Sequence, residues 1–180
     1  MKVIQFIMLF TAYLSFGQNQ TKENFVLENN QVYWQKVFPR ENIQEDSLKS
    51  LFETIVLSKF KYSKLDEKQS WLSFDVADDA IDFKKYGGGN FSTGIFAKQA
   101  HLYRVVAEFK DNRYRVTISQ IQNIDDKVNA VNEPFEEAVT KRGEAFYNSK
   151  VAEKGLAIMN TYFTEKFTIP QVYKKKESDW

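Results

Sequence analysis

The clearest pattern in the chain is the alternation of apolar and polar positions from Leu102 to Ile121, LYRVVAEFKDNRYRVTISQI. Tyr103, Val105, Ala107 and Phe109 fall on one face of a first run, and Tyr114, Val116 and Ile118 fall on one face of a second. Period-two repeats of this kind mark half-buried strands. With Asp111 and Asn112 as a two-residue turn, Phe109 lies opposite Tyr114, Ala107 opposite Val116 and Val105 opposite Ile118, so the apolar faces coincide. The other face then pairs Glu108 with Arg115, Val106 with Thr117 and Arg104 with Ser119. Asp and Asn tolerate the left-handed backbone that a type I′ turn needs. A one-residue slip would turn the aromatic set toward water, so the register of this hairpin is strongly specified.

The rest of the chain supplies elements to pack around the hairpin. Gln31 to Phe38, QVYWQKVF, predicts a first strand ended by Pro39, with Val32/Trp34 and Tyr33/Val37 competing for its buried face. Leu48, Leu51, Phe52 and Ile55 recur at helical spacing, with Asp46 as N-cap or Asn42 and Glu45 as a capping pair. Phe60 to Asp82 holds further strands, of which Trp71 to Val76 is the strongest. Ala80 to Tyr86 reads as a short strand or an extended loop. Gly87-Gly88-Gly89-Asn90 breaks any regular element, and Phe91 to Ala97 leads into the hairpin or stays a loop. After the polar stretch Gln122 to Glu133, Pro134 fits the first turn of a helix through Phe135, Ala138, Val139 and on to Phe146. Ala152, Leu156, Met159, Phe163 and Phe167 predict a helix that opens at Asn148 or Ser149 and stops before Pro170. These are two helices, or one bent at Gly143 and Gly155.

That order is α+β: an antiparallel sheet of about four to six strands with its helices on one face. Ahead of it, Met1-Lys2 and the apolar run Val3 to Phe16 have the form of a secretory signal peptide, with Ser15 and Gly17 as the small residues before a cut at Gln18. The run is short for a membrane anchor. The expected organisation is a signal peptide at 1–17, a flexible lead at 18–24, one domain at 25–170 and a charged tail at 171–180. The mature chain is then periplasmic or secreted, with no stable membrane span.

Removing the signal takes Lys+Arg from 25 to 24, equal to the 24 Asp+Glu. A balanced charge offers no footprint for a phosphate backbone, which argues against nucleic acid as partner. With no cysteine, disulfides, thiol catalysis, cysteine-bound zinc and a lipid-modified N-terminal cysteine are all excluded. Stability must come from the core, for which 16 Phe, 9 Tyr and 3 Trp are available.

The sequence resembles a bacterial family of exported proteins, a domain of unknown function described as having a TATA-binding-protein-like (TBP-like) fold. The likeness rests on Val32-Tyr33-Trp34-Gln35-Lys36-Val37-Phe38 and on Asp111 to Ile118, DNRYRVTI, and spans Val26 to Ile121. It implies a curved antiparallel sheet with helices on one face, in the order β-α-β(3-5)-α. It carries no activity and no catalytic residues to transfer, and fold does not imply function.

No reaction motif stands out. His101 is the single histidine, and it fits an ordinary strand-end position better than a catalytic base. A lone histidine also leaves no His-rich zinc or iron site, so no metal or cofactor is expected. Asp75, Asp78, Asp79 and Asp82 would share a face on a helix and could then hold calcium, but they lack the spacing of a calcium loop and fit a solvated loop better. Gly87 to Gly89 is followed by neither Lys-Ser nor Lys-Thr, so it is a flexible turn and no phosphate loop. Arg104, Lys110, Arg113 and Arg115 make a basic hairpin edge interleaved with Tyr103 and Tyr114. The expectation is a non-enzymatic binding or interaction module of the cell envelope, using Arg104, Arg115, Thr117 and Ser119 on the polar hairpin face toward an envelope ligand or protein. The alternatives are a hydrolase of an envelope polymer working through the four aspartates, and a structural subunit of an envelope assembly.

Overall fold

The computed structural model describes residues 20–124 and 132–170; the signal peptide expected at 1–17 and the charged tail at 171–180 lie outside them. The chain opens with two short strands, β1 (Gln20–Lys22) and β2 (Phe25–Glu28), which lead by the turn Asn29-Asn30 into β3 (Gln31–Pro39). Both asparagines have positive φ, 51° and 62°, the conformation a two-residue hairpin turn requires. The expected lead at 18–24 therefore contains a paired strand, with Thr21 opposite Val26. Along β3 the competition between faces is decided for Val32, Trp34 and Phe38, which are buried, while Val37 is half exposed.

Helix α1 (Glu45–Leu51) follows, widens into a π turn at Phe52–Val56 and tightens into a 3-10 turn at Leu57–Lys59. Strands β4 (Tyr62–Lys68) and β5 (Trp71–Ala80) come next, and 81–94 is a turn-rich loop. A short 3-10 turn, Ile95–Lys98, delivers the chain to the hairpin strands β6 (Ala100–Lys110) and β7 (Arg113–Ile124). Of the two expected forms of the C-terminal region, two helices or one bent helix, the structure has two. After β8 (Asn132–Pro134), α2 (Phe135–Val139) has only five residues and Pro134 stands just ahead of it. A two-residue hairpin, β9 (Thr140–Lys141) and β10 (Ala145–Phe146), then separates it from α3 (Lys150–Phe167). Gly143, with φ of 74°, sits in that hairpin's turn, where a left-handed residue is needed.

One antiparallel sheet runs β1-β2-β3-β7-β6-β5-β4, and β8 pairs with the far end of β7, making eight strands in place of the four to six expected. The hairpin register is as the alternation requires: Phe109 opposite Tyr114, Ala107 opposite Val116, Val105 opposite Ile118. The turn is not type I′, because Asn112 has positive φ (65°) and Asp111 does not. Past Arg104/Ser119 the pairing shifts by one residue at Gln120, where φ is 54°. A matching shift in β5 falls at Asp78, with φ of 57°. Each is a β-bulge, one extra residue inserted against a regular partner strand.

The helices cover one face. Phe163 of α3 meets Phe25, Trp34 and Tyr103 at 5.6–6.4 Å between ring centroids, and Phe167 meets Trp34, Phe52 and Phe60. Phe52 of the π turn sits edge-on to Phe109 and Tyr114, while Phe38 stacks flat on Tyr114 at 4.8 Å. These rings are buried, apart from the half-buried Phe60; large aromatic side chains dominate core energetics, and suitably tilted pairs add to the area they bury.

The helix ends are held by the hairpin turn. Neither Asp46 nor Asn42 caps α1. Instead the Glu45 N–H donates to Asp111 Oδ1 at 3.1 Å, and Asn112 exchanges backbone bonds with Arg40 and Ile43. At the other helix, Ser149 accepts from Ala152 N–H as an N-cap, and the Tyr114 hydroxyl donates to the Phe167 carbonyl while accepting from Ile169 N–H. Tyr114→Phe keeps the ring stack but orphans two buried backbone groups, and should lower stability by about 1–3 kcal/mol. Asp111→Ala should cost about 1 kcal/mol through the lost cap. Urea unfolding with an unchanged slope reads both losses.

Candidate functional site

With the helices on one side, the other face of the sheet is open, and cross-strand pairing sets its rows. One row runs Asp75–Arg104–Ser119, a second Ser73–Val106–Thr117–Gln35, and a third Trp71–Glu108–Arg115–Val37. All four residues expected from the sequence, Arg104, Arg115, Thr117 and Ser119, stand on this face. Three of them are already engaged with neighbours. Arg115 Nε and Nη2 form a two-pronged pair with Glu108 at 2.7 and 2.8 Å. Arg104 Nη2 donates to Ser73 Oγ at 3.2 Å and its Nη1 lies 3.7 Å from Asp75, which also holds Lys64 at 3.0 Å. Thr117 Oγ1 accepts from Gln35 Nε2 at 3.0 Å. Of the cationic edge that the sequence suggested, Arg104 and Arg115 are thus paired with carboxylates, while Lys110 and Arg113 have no ion pair among the described residues.

The four do not converge on one cavity. Arg115 borders a depression of about 230 Å³ with Val37, Lys110 and Arg113 at the turn end of the hairpin. Arg104 lines one of about 310 Å³ with Lys64, Asp75, Gln120 and Gln122. Ser119 lines one of about 160 Å³ with Gln31, Tyr33, Gln120 and Glu136. The last shares Gln31, Gln120 and Glu136 with a wider cleft of about 610 Å³ that also takes in Arg142 and Tyr147. Gln120, the bulge residue, borders all three of these spaces. The sequence reading missed it, although one sign was present: Tyr114, Val116 and Ile118 keep even spacing, and the next buried apolar residue, Ile121, is out of phase.

The second polar constellation lies on the helix side. The bulge at Asp78 turns Asp79 inward, where its carboxylate accepts from the Tyr103 hydroxyl, from the Tyr162 hydroxyl at 2.5 Å and from Lys166 Nζ at 3.0 Å. Lys166 also donates to Tyr162 Oη at 2.9 Å and rests over the Phe60 ring. Burial raises the pKa of Tyr103 well above the ordinary phenol value, and the Asp79 carboxylate adds to the shift. Tyr162 is raised for the same two reasons in the same order. Burial also pushes Tyr114 up, to about 12. His101, directly opposite Asp79 in the strand pairing, is fully buried, with Nε2 2.9 Å from the Phe96 carbonyl and Nδ1 3.3 Å from that of Asp79. Burial lowers its pKa, and the contacts with the two carbonyls oppose that shift.

The four aspartates are scattered. Asp75 is on the open face, Asp79 on the core face, Asp78 exposed at the bulge, and Asp82 accepts from Lys85 N–H in the following turn. The helix that would have gathered them is the strand β5. Neither the calcium geometry nor the paired carboxylates of a polymer hydrolase is assembled, and among the described residues no cluster of three His, Asp or Glu side chains could hold a metal. Gly87 to Gly89 is braced where a flexible turn was expected: a Cβ on Gly88 would meet the Phe83 carbonyl at 2.6 Å, and Gly89 N–H donates to the buried Thr93.

The order strand, helix, four strands, helix, with β3 inserted beside β7, matches a known architecture. A TBP-like protein from Parabacteroides distasonis superposes with a TM-score of 0.52 at 15% identity, covering 77% of this chain and 88% of that one. The chain has a TBP-like fold. A DUF4468 family protein from Bacteroides ovatus is also similar, with a TM-score of 0.46 at 12% identity over 81% of this chain and 91% of that one. No protein-family model and no curated protein matches the sequence. At these identities the TBP-like likeness concerns shape. Among the described residues no helix is long and apolar enough to cross a membrane.

The buried tyrosines give this TBP-like domain an alkaline limit. Above the unfolded phenol pKa of about 10, the unfolded chain loses protons that Tyr103, Tyr114 and Tyr162 retain in the fold, so the folded state binds more protons and stability falls as pH rises, by up to about 1.4 kcal/mol per unit for each tyrosine. Tyr162→Phe should flatten that decline in urea unfolding followed from about pH 8 to 11.

Proposed function

We propose that the protein is a non-enzymatic binding or protein-interaction module of the bacterial cell envelope, periplasmic or secreted, that engages its partner through the open sheet face around Arg104, Arg115, Thr117 and Ser119. The observation that carries this reading is a sheet whose helices all lie on one side, leaving a second side with polar side chains in fixed cross-strand contacts. A face locked by Arg115–Glu108 and Gln35–Thr117 contacts loses little side-chain entropy when a partner arrives, which favours recognition.

Arg104 and Arg115 are each compensated by a carboxylate neighbour, so these two offer little free positive field to a polyanion, whereas Lys110 and Arg113 at the turn end have no ion pair among the described residues. A polar partner of mixed charge, or a neutral chain rich in hydroxyl groups, can exchange hydrogen bonds with Gln31, Gln120, Gln122 and Arg104 without that field. Tyr33 and Tyr147 at the rims of the same clefts add flat apolar surface. The double substitution Arg104→Ala/Arg115→Ala should reduce retention of envelope components in a pull-down by roughly tenfold, the scale set by removing a charged hydrogen-bond donor. Exposed pairs contribute at most about 1 kcal/mol each, so the fold should persist. Unchanged retention by the folded variant would remove this face from consideration.

A further inference from the structure

The loop between β5 and β6 displays apolar side chains that the sheet-face reading does not use. Phe91 is 98% exposed and Ile95, four residues on, is 69% exposed. Val151, at the start of α3, is 42% exposed and is tied to the same loop, its carbonyl accepting from Gly94 N–H at 3.1 Å. The loop that carries them is firmly built. Thr93 is buried and accepts from Gly89 N–H, Phe96 packs inward against Gly155, and Gly88 is too close to Phe83 and Ile158 to bear a side chain. Phe91 is therefore held out by a braced support.

Two lysines grip the residues on either side of it. Lys98 Nζ donates to the Asn90 carbonyl at 2.5 Å, and Lys154 Nζ donates to Ser92 Oγ at 3.2 Å. Both acceptors are neutral, and among the described residues neither lysine is in an ion pair, whereas Lys85, in the same loop, is bound to Glu165. Two positive charges thus stand directly behind an apolar tip with no carboxylate to compensate them.

We propose that this tip, 87–95, seats on an anionic lipid bilayer, with Phe91 and Ile95 in the interfacial layer and Lys98 and Lys154 against the headgroup phosphates. Size selects a bilayer over a protein surface. A standard protein interface buries about 800 Å² per partner, while a phenylalanine side chain supplies on the order of 200 Å². A bilayer needs only the tip, because apolar insertion and basic attraction to anionic headgroups add together there. The proposal stands independently of the sheet face, which the tip leaves free.

The chain has no cysteine, so Asn90→Cys gives one attachment point for an environment-sensitive fluorophore beside the tip, and Glu41→Cys gives one beyond the opposite ends of β6 and β7. With phosphatidylglycerol-containing vesicles, the label at 90 should brighten and shift to the blue and the label at 41 should not; this local readout separates the tip from any lipid contact made by the N-terminal apolar run. Phe91→Ser/Ile95→Ser should abolish the change, and Lys98→Glu/Lys154→Glu should raise the lipid needed for half-saturation by roughly tenfold or more. All four side chains are at the surface of the loop or its rim, so these variants keep the core. A silent label at 90, an equal response to pure phosphatidylcholine, or a response untouched by Phe91→Ser/Ile95→Ser would overturn the proposal. So would a label that stays dim on vesicles and brightens only with envelope protein.

Discussion

The turn end of the hairpin, from Asp111 to Tyr114, fastens both major helices to the sheet. A helix leaves its first N–H and last C=O groups without partners, and α1, at seven residues, is too short to persist by itself. Asp111 supplies an acceptor for the start of α1, and Asn112 exchanges backbone bonds with the segment that leads into it. Three residues later in the chain, the Tyr114 hydroxyl closes the last turn of α3. The aromatic core between these points follows from that geometry. Once both helices are fastened at the hairpin's end, Phe52, Phe163 and Phe167 have one face to lie on, and the rings of β3, β6 and β7 are already there.

Strand alternation was the most legible feature of the sequence because a half-buried strand must alternate. Hence the pairs from Phe109/Tyr114 to Arg104/Ser119 could be read residue by residue, and the α+β class and the helix of Leu156, Met159 and Phe163 with them. Wherever a contact distant in sequence decides the structure, the reading ran short. Asp46 looked like a cap, but the acceptor came from 66 residues away. The helix expected through Phe146 stopped at Val139, and Phe146 joined a two-residue strand whose side chain is buried. The extra strands β1, β2 and β8 are three or four residues long, too short for periodicity to announce them. Of the candidate site, the face was legible and the grouping was not: Arg104, Arg115, Thr117 and Ser119 share a side of the sheet, yet the clefts beside Arg104 and Ser119 meet at Gln120, whose bulge shows in the sequence only as Ile121 falling out of phase.

The two sides of the sheet handle charge differently. On the open side, Arg115 with Glu108 and Lys64 with Asp75 are partly solvated pairs, whose contribution to stability is small and whose value lies in fixing side-chain positions. On the helix side, Asp79 is 9% exposed and is satisfied by two phenols and one ammonium. A carboxylate so placed would be costly without those donors. Its full set of partners marks it as a structural fastening between β5, β6 and α3.

Both bulges flank β6 at the same level, one in β5 at Asp78 and the other in β7 at Gln120, and β6 itself passes between them without an extra residue. Each can therefore be regarded as a one-residue insertion that a regular ladder absorbed without losing its phase: Ile118 and Ile121 both face inward, as do Val76 and Asp79. Loss of the residue at either position would restore regular pairing and keep the same side chains facing inward while reshaping the rim of the clefts. In this architecture the contour of the open face can drift by insertion and deletion, and the core need not change with it.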